Sequence, residues 1–426
     1  MRPSLLLSLL IYLLVLGGLA TVNGALLVLA VPLVLYLGAG LLFGPGDVHL
    51  ELERSIDVER VTQGKPVEVR LRVTNRGGHI EQLWLQDKLP PGLERLDGET
   101  SLLAELPAGA HLELRYRVQG GRGFYRFVNV QSTLSDRLGI MRWSQELPAP
   151  GRIFVLPEMT RLKHVAIRPL QTVGYSGIIP ARQGGAGVEF LGVRAYQAGD
   201  PLRRINWLAS ARHRQALFSN EFEQERGANV GLILDARIRS DIDTSQGSIF
   251  EHAVTATASL AQALLNDGNR VGLLVYGGYL AWTYPGFGKI QRERILRALV
   301  RASPGASQVF DKLEKLPTRI FPAHSQLILV STLHHDDLPV LIRLRARGYQ
   351  VMVVSPDPVA FEVQILGSRP AAELGIRLAR LEREVLIKRL QRAGVQVLSW
   401  DVSQPFDQAM RLALSRIPPW VRPIHI

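Results

Sequence analysis

The sequence has no cysteine. Disulfides, iron–sulfur clusters, thiolate zinc sites and a cysteine nucleophile are excluded. It has no G-x-x-x-x-G-K-[ST] phosphate loop: Gly288-Lys289 lacks both the upstream glycine and the following hydroxyl residue. ATP binding through such a loop is excluded with it. H-E-x-x-H and G-x-S-x-G are absent too, Gly174-Tyr175-Ser176-Gly177 being one residue short of the second. There is no internal repeat and no low-complexity segment. No residue between Arg2 and Asp47 is charged.

What remains is a chain of 426 residues, 46% hydrophobic and 21% charged, enough for two or three domains. The formal net charge of +12 is uneven: residues 121–226 hold 15 basic against 8 acidic groups, and residues 289–426 hold 21 against 12. The other two stretches, 1–120 and 227–288, are slightly acidic. A basic face suits anionic lipid, nucleic acid or an acidic protein partner.

The uncharged start reads as two membrane spans, Leu5–Val22 and Ala25–Phe43, joined by the turn signal Asn23-Gly24. A cleaved signal peptide over Leu5–Leu16 is the rival reading. With both spans kept, Arg2 favours a cytoplasmic N-terminus. The expected location is therefore the inner (cytoplasmic) membrane, multi-pass, with the remaining domains on the cytoplasmic side.

From Asp47 to Pro150 the pattern changes to period two. Val67, Val69, Leu71 and Val73 alternate with Glu68, Arg70, Arg72 and Thr74, and Leu112–Val118 repeats the pattern. Turn signals separate such runs, as in Pro90-Pro91-Gly92 and Gly120-Gly121, so an immunoglobulin-like antiparallel β-sandwich is expected over 47–150. From 227 to 426 strand-like runs (Asn229–Leu234, Val271–Tyr276, Gln326–Ser331, Gln350–Ser355, Val395–Trp400) alternate with helical ones, predicting an α/β domain with a parallel sheet. The helix Glu373–Ala393 is expected to turn Leu378, Leu381, Val385 and Leu390 inward.

Residues 184–226 interleave both charge signs with aromatics. The candidate residues are Glu189, Phe190, Gly192, Arg194, Tyr196, Gly199, Asp200, Arg204, Trp207, Ser210 and Arg212. Aromatics facing inward and Arg–carboxylate pairs are the expected arrangement, with a short helix over Arg204–Arg214. With Gly187, Ile205 and Ala211 these residues follow the pattern G-x-E-F-x-G-x-R-x-Y-x-x-G-D-x-x-R-x-I-D-W-x-x-S-A-R. Asn206 stands where Asp is usual. This resembles the bacterial and archaeal "domain of unknown function 58" family, as does Ser135-Asp136-Arg137-Leu138-Gly139 further upstream. The resemblance implies paired N-terminal spans, a β domain, and a MoxR-type AAA+ ATPase as partner. Segment 151–226 is read as a linker and motif region packing on the domain junction.

Asp235 ends an apolar strand and precedes a helix. This is similar to the von Willebrand factor A domain, where D-x-S-x-S with a later Thr and Asp binds Mg²⁺ at the strand ends. Here Arg237 and Arg239 stand in place of the two serines, and the later strand runs Ser331-Thr332 where an Asp is expected near Thr332. Two guanidinium groups repel a cation and neutralise Asp235, so no metal is expected. The run His334-His335-Asp336-Asp337 could bind a transition metal instead, or simply lead into a helix with Asp337 near its N-cap. Arg237 and Arg239 could also receive a partner's carboxylate.

These readings point to a membrane-anchored, non-enzymatic adaptor that docks protein partners, without cofactor, catalytic residue or nucleic acid. Two alternatives stay open: a metal-dependent hydrolase built on Asp235 and the His334–Asp337 loop, and a basic lipid- or nucleic-acid-binding protein.

Overall fold

The computed structural model describes residues 3–42, 48–135, 142–162, 165, 167, 179–212, 216–244, 247–366 and 370–415. It divides into two units, Met1–Leu156 and Pro157–Ile426.

The first unit begins with two helices, α1 (Pro3–Ala20) and α2 (Gly24–Leu42), which pack on each other. Gly18 permits their close approach, since a Cβ there would meet Leu27 Cδ2 at 2.8 Å. The expected membrane hairpin is corrected here. Among the described residues no helix is long and apolar enough to cross a membrane. The two helices have 18 and 19 residues, at the short end of the roughly 17–25 that a ~30 Å hydrocarbon core takes, and α2 carries Pro32 inside it. The multi-pass inner-membrane location that rested on this hairpin falls with it.

Nine strands follow: β1 (Leu50–Ile56), β2 (Arg60–Thr62), β3 (Val67–Asn75), β4 (Ile80–Asp87), β5 (Leu93–Gly98), β6 (Ser101–Leu106), β7 (His111–Gly120), β8 (Gly123–Ser135) and β9 (Arg142–Leu156). They form a four-stranded sheet, β1-β3-β7-β5, and a five-stranded sheet, β2-β9-β8-β4-β6. All pairs are antiparallel except β2 with β9. The inward residues of both sheets, among them Val69, Leu71, Leu85, Phe127 and Ile153, share one core. Each such side chain contributes roughly 1.5–3 kcal/mol by leaving water. Within that core lies a buried polar group. Asp87 accepts from Arg54 Nη2 at 2.6 Å and from Tyr116 Oη at 2.6 Å. Arg54 also donates to the Ala149 carbonyl and lies 4.4 Å from the centroid of the Phe127 ring.

The second unit opens with an antiparallel ribbon, β10 (Ile179–Ala195) and β11 (Phe218–Arg226), with the short helix α3 (Trp207–Arg212) in the connection. Then come β12 (Asn229–Ala236), the small hairpin β13 (Asp243–Thr244) and β14 (Gly247–Ser248), α4 (Ile249–Asn266), β15 (Arg270–Gly277), β16 (Leu280–Gly286) and α5 (Gly288–Arg301). The chain continues through β17 (Gln326–Val330), α6 (Leu338–Ala346), β18 (Gln350–Pro356), α7 (Pro358–Leu366), α8 (Pro370–Arg392), β19 (Gln396–Trp400) and α9 (Phe406–Ser415).

Six of these strands make one sheet in the order β16-β15-β12-β17-β18-β19. Five run parallel; β16 is antiparallel to β15 and lies at the edge. The central strands are apolar throughout because both sheet faces are covered. Leu341 and Leu344 of α6 and Leu386 and Leu390 of α8 share a core with Ile233, Leu274, Leu329 and Val353. α4, capped by Ser248 Oγ accepting from the Phe250 amide, packs on β12, β15, β17 and β18.

Two sequence expectations are corrected in this unit. Leu378, Leu381 and Val385 are exposed rather than inward, and only Leu390 of that set is buried. The buried face of α8 instead carries Arg383, whose guanidinium donates to Thr332 O at 2.9 Å and Ser355 Oγ at 2.9 Å. The second correction is β16, a strand absent from the sequence reading.

Candidate functional site

In the six-stranded sheet the chain leaves β12 for β15 on one side and later returns to β17 on the other. The crevice between the carboxyl ends of β12 and β17 is therefore the topological switch point, where open α/β sheets bind ligands. Asp235 ends β12 there, and Ser331-Thr332 follow β17.

A guanidinium fills this crevice. Arg237 is 1% exposed. Its Nε donates to Asp235 Oδ1 at 2.8 Å and its Nη2 to Asp235 Oδ2 at 2.7 Å. Nη1 and Nη2 donate to the two oxygens of Asp337, each at 2.9 Å, and Nη1 also reaches Asp311 O at 3.2 Å. Arginine has five N–H donors in a fixed fork, and each one here has an acceptor. The backbone locks the position: Ile238 N donates to Gly305 O at 3.0 Å and Gly305 N to Ala236 O at 2.9 Å. Gly305 lies against Gly278, where a Cβ would meet Gly305 Cα at 2.7 Å.

Hydroxyls complete the shell. Ser240 Oγ donates to Asp235 Oδ2 at 2.7 Å and Ser331 Oγ to the same oxygen at 2.6 Å. Thr332 Oγ1 donates to Ser240 O at 3.1 Å. Two carboxylates with serine and threonine hydroxyls are a hard-oxygen set of the kind that holds Mg²⁺. At its centre stands a fixed side-chain cation. Leu333, immediately after this shell, has φ of 66°, in the left-handed region that leucine rarely adopts.

The electrostatics follow from this packing. Burial pushes the Asp235 carboxyl up, but the hydrogen bonds and charge of Arg237 outweigh it and hold Asp235 below the usual carboxylate range. Burial likewise works against the charge on Arg237, and Asp235 and Asp337 reverse that effect and raise its pKa. His334 lies at the rim, with Nε2 3.1 Å from Ser240 Oγ. Ser240 has one proton and gives it to Asp235, so His334 Nε2 is the donor in that contact. His334 is therefore not a base acting on Ser240. Burial lowers the His334 pKa, with the charges of Arg237 and Arg239 adding to the shift.

Arg239 is the outer guanidinium. Its Nη2 contacts both oxygens of Asp336, at 3.1 and 2.8 Å, and its Nε lies 3.8 Å from Asp311 Oδ1. Arg237 is thus closed to a partner's carboxylate, its donors all being used, while Arg239 stays partly accessible. The His334–Asp337 run does not form a metal cluster. Among the described residues no group of three or more His, Cys, Asp or Glu is placed to hold a metal ion. Asp337 is spent on Arg237 and on the His334 amide, and Asp336 on Arg239.

The motif residues form a second cluster at the ribbon's end. Arg194 Nη2 donates to Asp200 Oδ1 at 2.7 Å, with Glu221 3.7 Å from its Nε, and Asp200 Oδ2 accepts from the Gln197 amide at 3.0 Å. Asn206 caps α3 by accepting from the Ala209 amide at 2.9 Å and donates to Asn220 Oδ1 at 2.7 Å. Ser210 Oγ donates to Asn206 O and accepts from the Phe218 amide. Gly199 takes φ of 110° in the turn before Asp200. The aromatics were expected inward, yet Trp207 is exposed, as are Leu202 and Leu208. Tyr196 is half-buried, Arg204 is half-buried, and Arg212 is exposed at the end of α3. Gly192 pairs with Glu221 in the ribbon. Glu189 and Phe190 lie on the backbone of β10, and their side chains fall outside the described residues, as do Arg214, Asp136–Gly139 and Gly174–Gly177.

Sequence reasoning missed the partner carboxylate Asp337 and the strand-end arginine Arg383. The first was noticed only as a helix cap or metal ligand. The second carried no signal beyond a basic residue in a helix.

Residues 192–368, covering this crevice and most of the motif, match the family described as "Protein of unknown function DUF58". The match covers 177 of the 426 residues, and it is this segment that is similar to the DUF58 family. The chain is 31% identical over 197 residues to the uncharacterized protein YeaD of Bacillus subtilis (strain 168). That match spans 45% of this chain and 47% of YeaD, about half the length of each. Two solved structures align with about a quarter of this chain. One is the CARDB domain of a Pyrococcus furiosus protein, solved in complex with di-metal ions, at 15% identity and TM-score 0.20 over 25% of this chain and 93% of that one. Another is a FixG-related protein from Vibrio parahaemolyticus, at 12% identity and TM-score 0.17 over 26% and 98%. At these scores neither establishes a fold for this chain.

Proposed function

We propose that this protein is a non-enzymatic adaptor that docks protein partners, and that one partner is a MoxR-type AAA+ ATPase. The observation that carries the reading is the guanidinium of Arg237 in the switch-point crevice. A site that elsewhere in α/β sheets takes a ligand is here closed by the chain's own cation, with every donor satisfied. The ATPase enters through the resemblance of the 184–226 motif. The metal-dependent hydrolase reading is disfavoured, because Asp235, Asp336 and Asp337 are each paired with an arginine. Against the nucleic-acid reading, Arg194, Arg343, Arg377 and Arg411 of the two basic stretches are paired with carboxylates.

A docking surface is available on the same unit. β16 is an edge strand, and among the described residues nothing pairs with its outer side. Trp282 and Tyr284 project from it two residues apart and are exposed, as are the adjoining Phe287 and Ile290. An exposed edge with alternating aromatic side chains accepts an extended peptide as an added strand. The test is binding of the purified chain to a purified MoxR-type ATPase of the same genome. Trp282→Ala with Tyr284→Ala should weaken binding at least ~10-fold, the loss expected of removed aromatic anchors. Unchanged affinity in that variant rules out the edge as the docking surface, and no binding by the wild type rules out the partner.

A further inference from the structure

The helix α8 has two opposite faces, and both are apolar. The inner face, with Leu386 and Leu390 buried and Arg383 tied to the strand ends, packs against α6, α7 and β19. The outer face carries Leu374, Leu378, Leu381 and Val385, which are 79%, 57%, 59% and 46% exposed. Their spacing of four, three and four residues is that of a coiled-coil seam, a straight stripe along about 16 Å of helix. The other large exposed side chains described on α8 are charged, among them Glu373, Arg377, Glu384 and Lys388. Four large apolar side chains in one line on a charged helix mark a surface that is covered in the working protein.

We infer that α8 is a homodimer interface, in which two copies of this chain pair their outer stripes antiparallel about a two-fold axis. The flanking charges select this occupant. Arg377 and Glu384 border the stripe on the same side, seven residues apart. An antiparallel copy sets Leu374 against Val385 and Leu378 against Leu381, which places each Arg377 beside Glu384 of the second copy. A two-fold axis makes the contact twice. A parallel pair is disfavoured, because the seam continues into Lys388 and Arg392, and each would then face its own copy. At present Arg377 pairs with Glu373 at 2.6 Å and Glu384 with Lys388 at 2.6 Å, both exposed pairs of little worth that exchange readily for contacts across an interface. This inference does not depend on the adaptor reading.

Sedimentation velocity of the full chain tests it. The chain should be a dimer, and Leu378→Asp with Leu381→Asp should raise its dissociation constant at least ~100-fold, as loss of a central apolar pair does. Both side chains are exposed, so the fold is retained, and circular dichroism checks this. Arg377→Glu should weaken the dimer, and Arg377→Glu with Glu384→Arg should restore it. The absence of cysteine makes cross-linking clean: a mixture of Leu374→Cys and Val385→Cys chains should form a disulfide across the interface, and Leu374→Cys alone should not. A wild-type monomer at about 100 μM overturns the inference. So does a dimer indifferent to the two aspartates, or Leu374→Cys linking to itself.

Discussion

Arg237 and Asp337 stand a hundred residues apart in the chain and are joined by two parallel hydrogen bonds of 2.9 Å. Asp235, two residues before Arg237, takes the other side of the same guanidinium. The end of β12 and the loop after β17 are thereby fastened across the switch point by one cation that cannot diffuse away. A metal ion held there would couple the crevice to solvent composition. A covalently attached guanidinium does not.

Breaking this group should be costly. Arg237→Met leaves two buried carboxylates facing each other, and the C-terminal unit should lose about 3–5 kcal/mol in denaturant unfolding. Arg237→Lys should recover only part of this, since an ammonium cannot fork between two carboxylates. Adding Asp235→Asn and Asp337→Asn to Arg237→Met should give back stability, because the uncompensated charges go with them.

Acid should destabilise the C-terminal unit in two stages. Burial holds His334 and His252 below the ordinary histidine value. Their contribution is present above about pH 6.5 and is lost as the pH falls from there through their depressed folded values. Asp235 is likewise depressed, so its contribution is present above about pH 4 and is lost as the pH falls through its folded value. His334→Gln keeps a donor for Ser240 and removes the titration. Unfolding midpoints measured from pH 7 to 5 should then fall less steeply than in the wild type, with His252 supplying the remaining slope.

Divalent cations should have no hold on the crevice. Millimolar Mg²⁺, or a chelator in its place, should leave the melting temperature unchanged within the scatter of repeated scans, because binding to the folded state alone would raise it. A reproducible Mg²⁺-dependent rise would mean that a cation displaces Arg237.

In the β-sandwich the buried Tyr116 hydroxyl is the sensitive point. Its pKa is raised by burial and by Asp87, so it stays protonated and donates. Tyr116→Phe should cost the N-terminal unit about 1–3 kcal/mol by leaving an oxygen of Asp87 without this donor. Asp87→Asn should cost more, since Arg54 would then be buried without its ion-pair partner.

Much of the architecture was legible where periodicity has one cause. Val67, Val69, Leu71 and Val73 alternate because one face of β3 meets the core, and they do so in the structure. That Arg237 could neutralise Asp235 was legible from the arginines that follow the strand-end carboxylate, and the structure pairs the two. The identity of the carboxylate that meets Arg237 was not legible. Asp336 and Asp337 are adjacent, and only the geometry of the turn decides which one faces in. α8 misled for a related reason. Both of its faces carry leucines, and its buried face includes a charged residue, Arg383, stabilised by strand-end oxygens that no local pattern reveals. β16 was missed because its exposed aromatics alternate with ordinary residues on an antiparallel edge, outside the pattern of buried parallel strands. The N-terminal apolar run was legible as a helix pair; that no described helix is long and apolar enough to cross a membrane was not.

The central claim is that this chain docks protein partners without a metal bridge. The most direct measurement is the affinity of the full chain for a purified MoxR-type AAA+ ATPase, taken once with Mg²⁺ and once in chelator, with nucleotide absent from both so that the ATPase is compared in one state. The account predicts binding of the same strength in the two conditions. Binding that disappears in chelator and returns with Mg²⁺, or no binding in either, would contradict it.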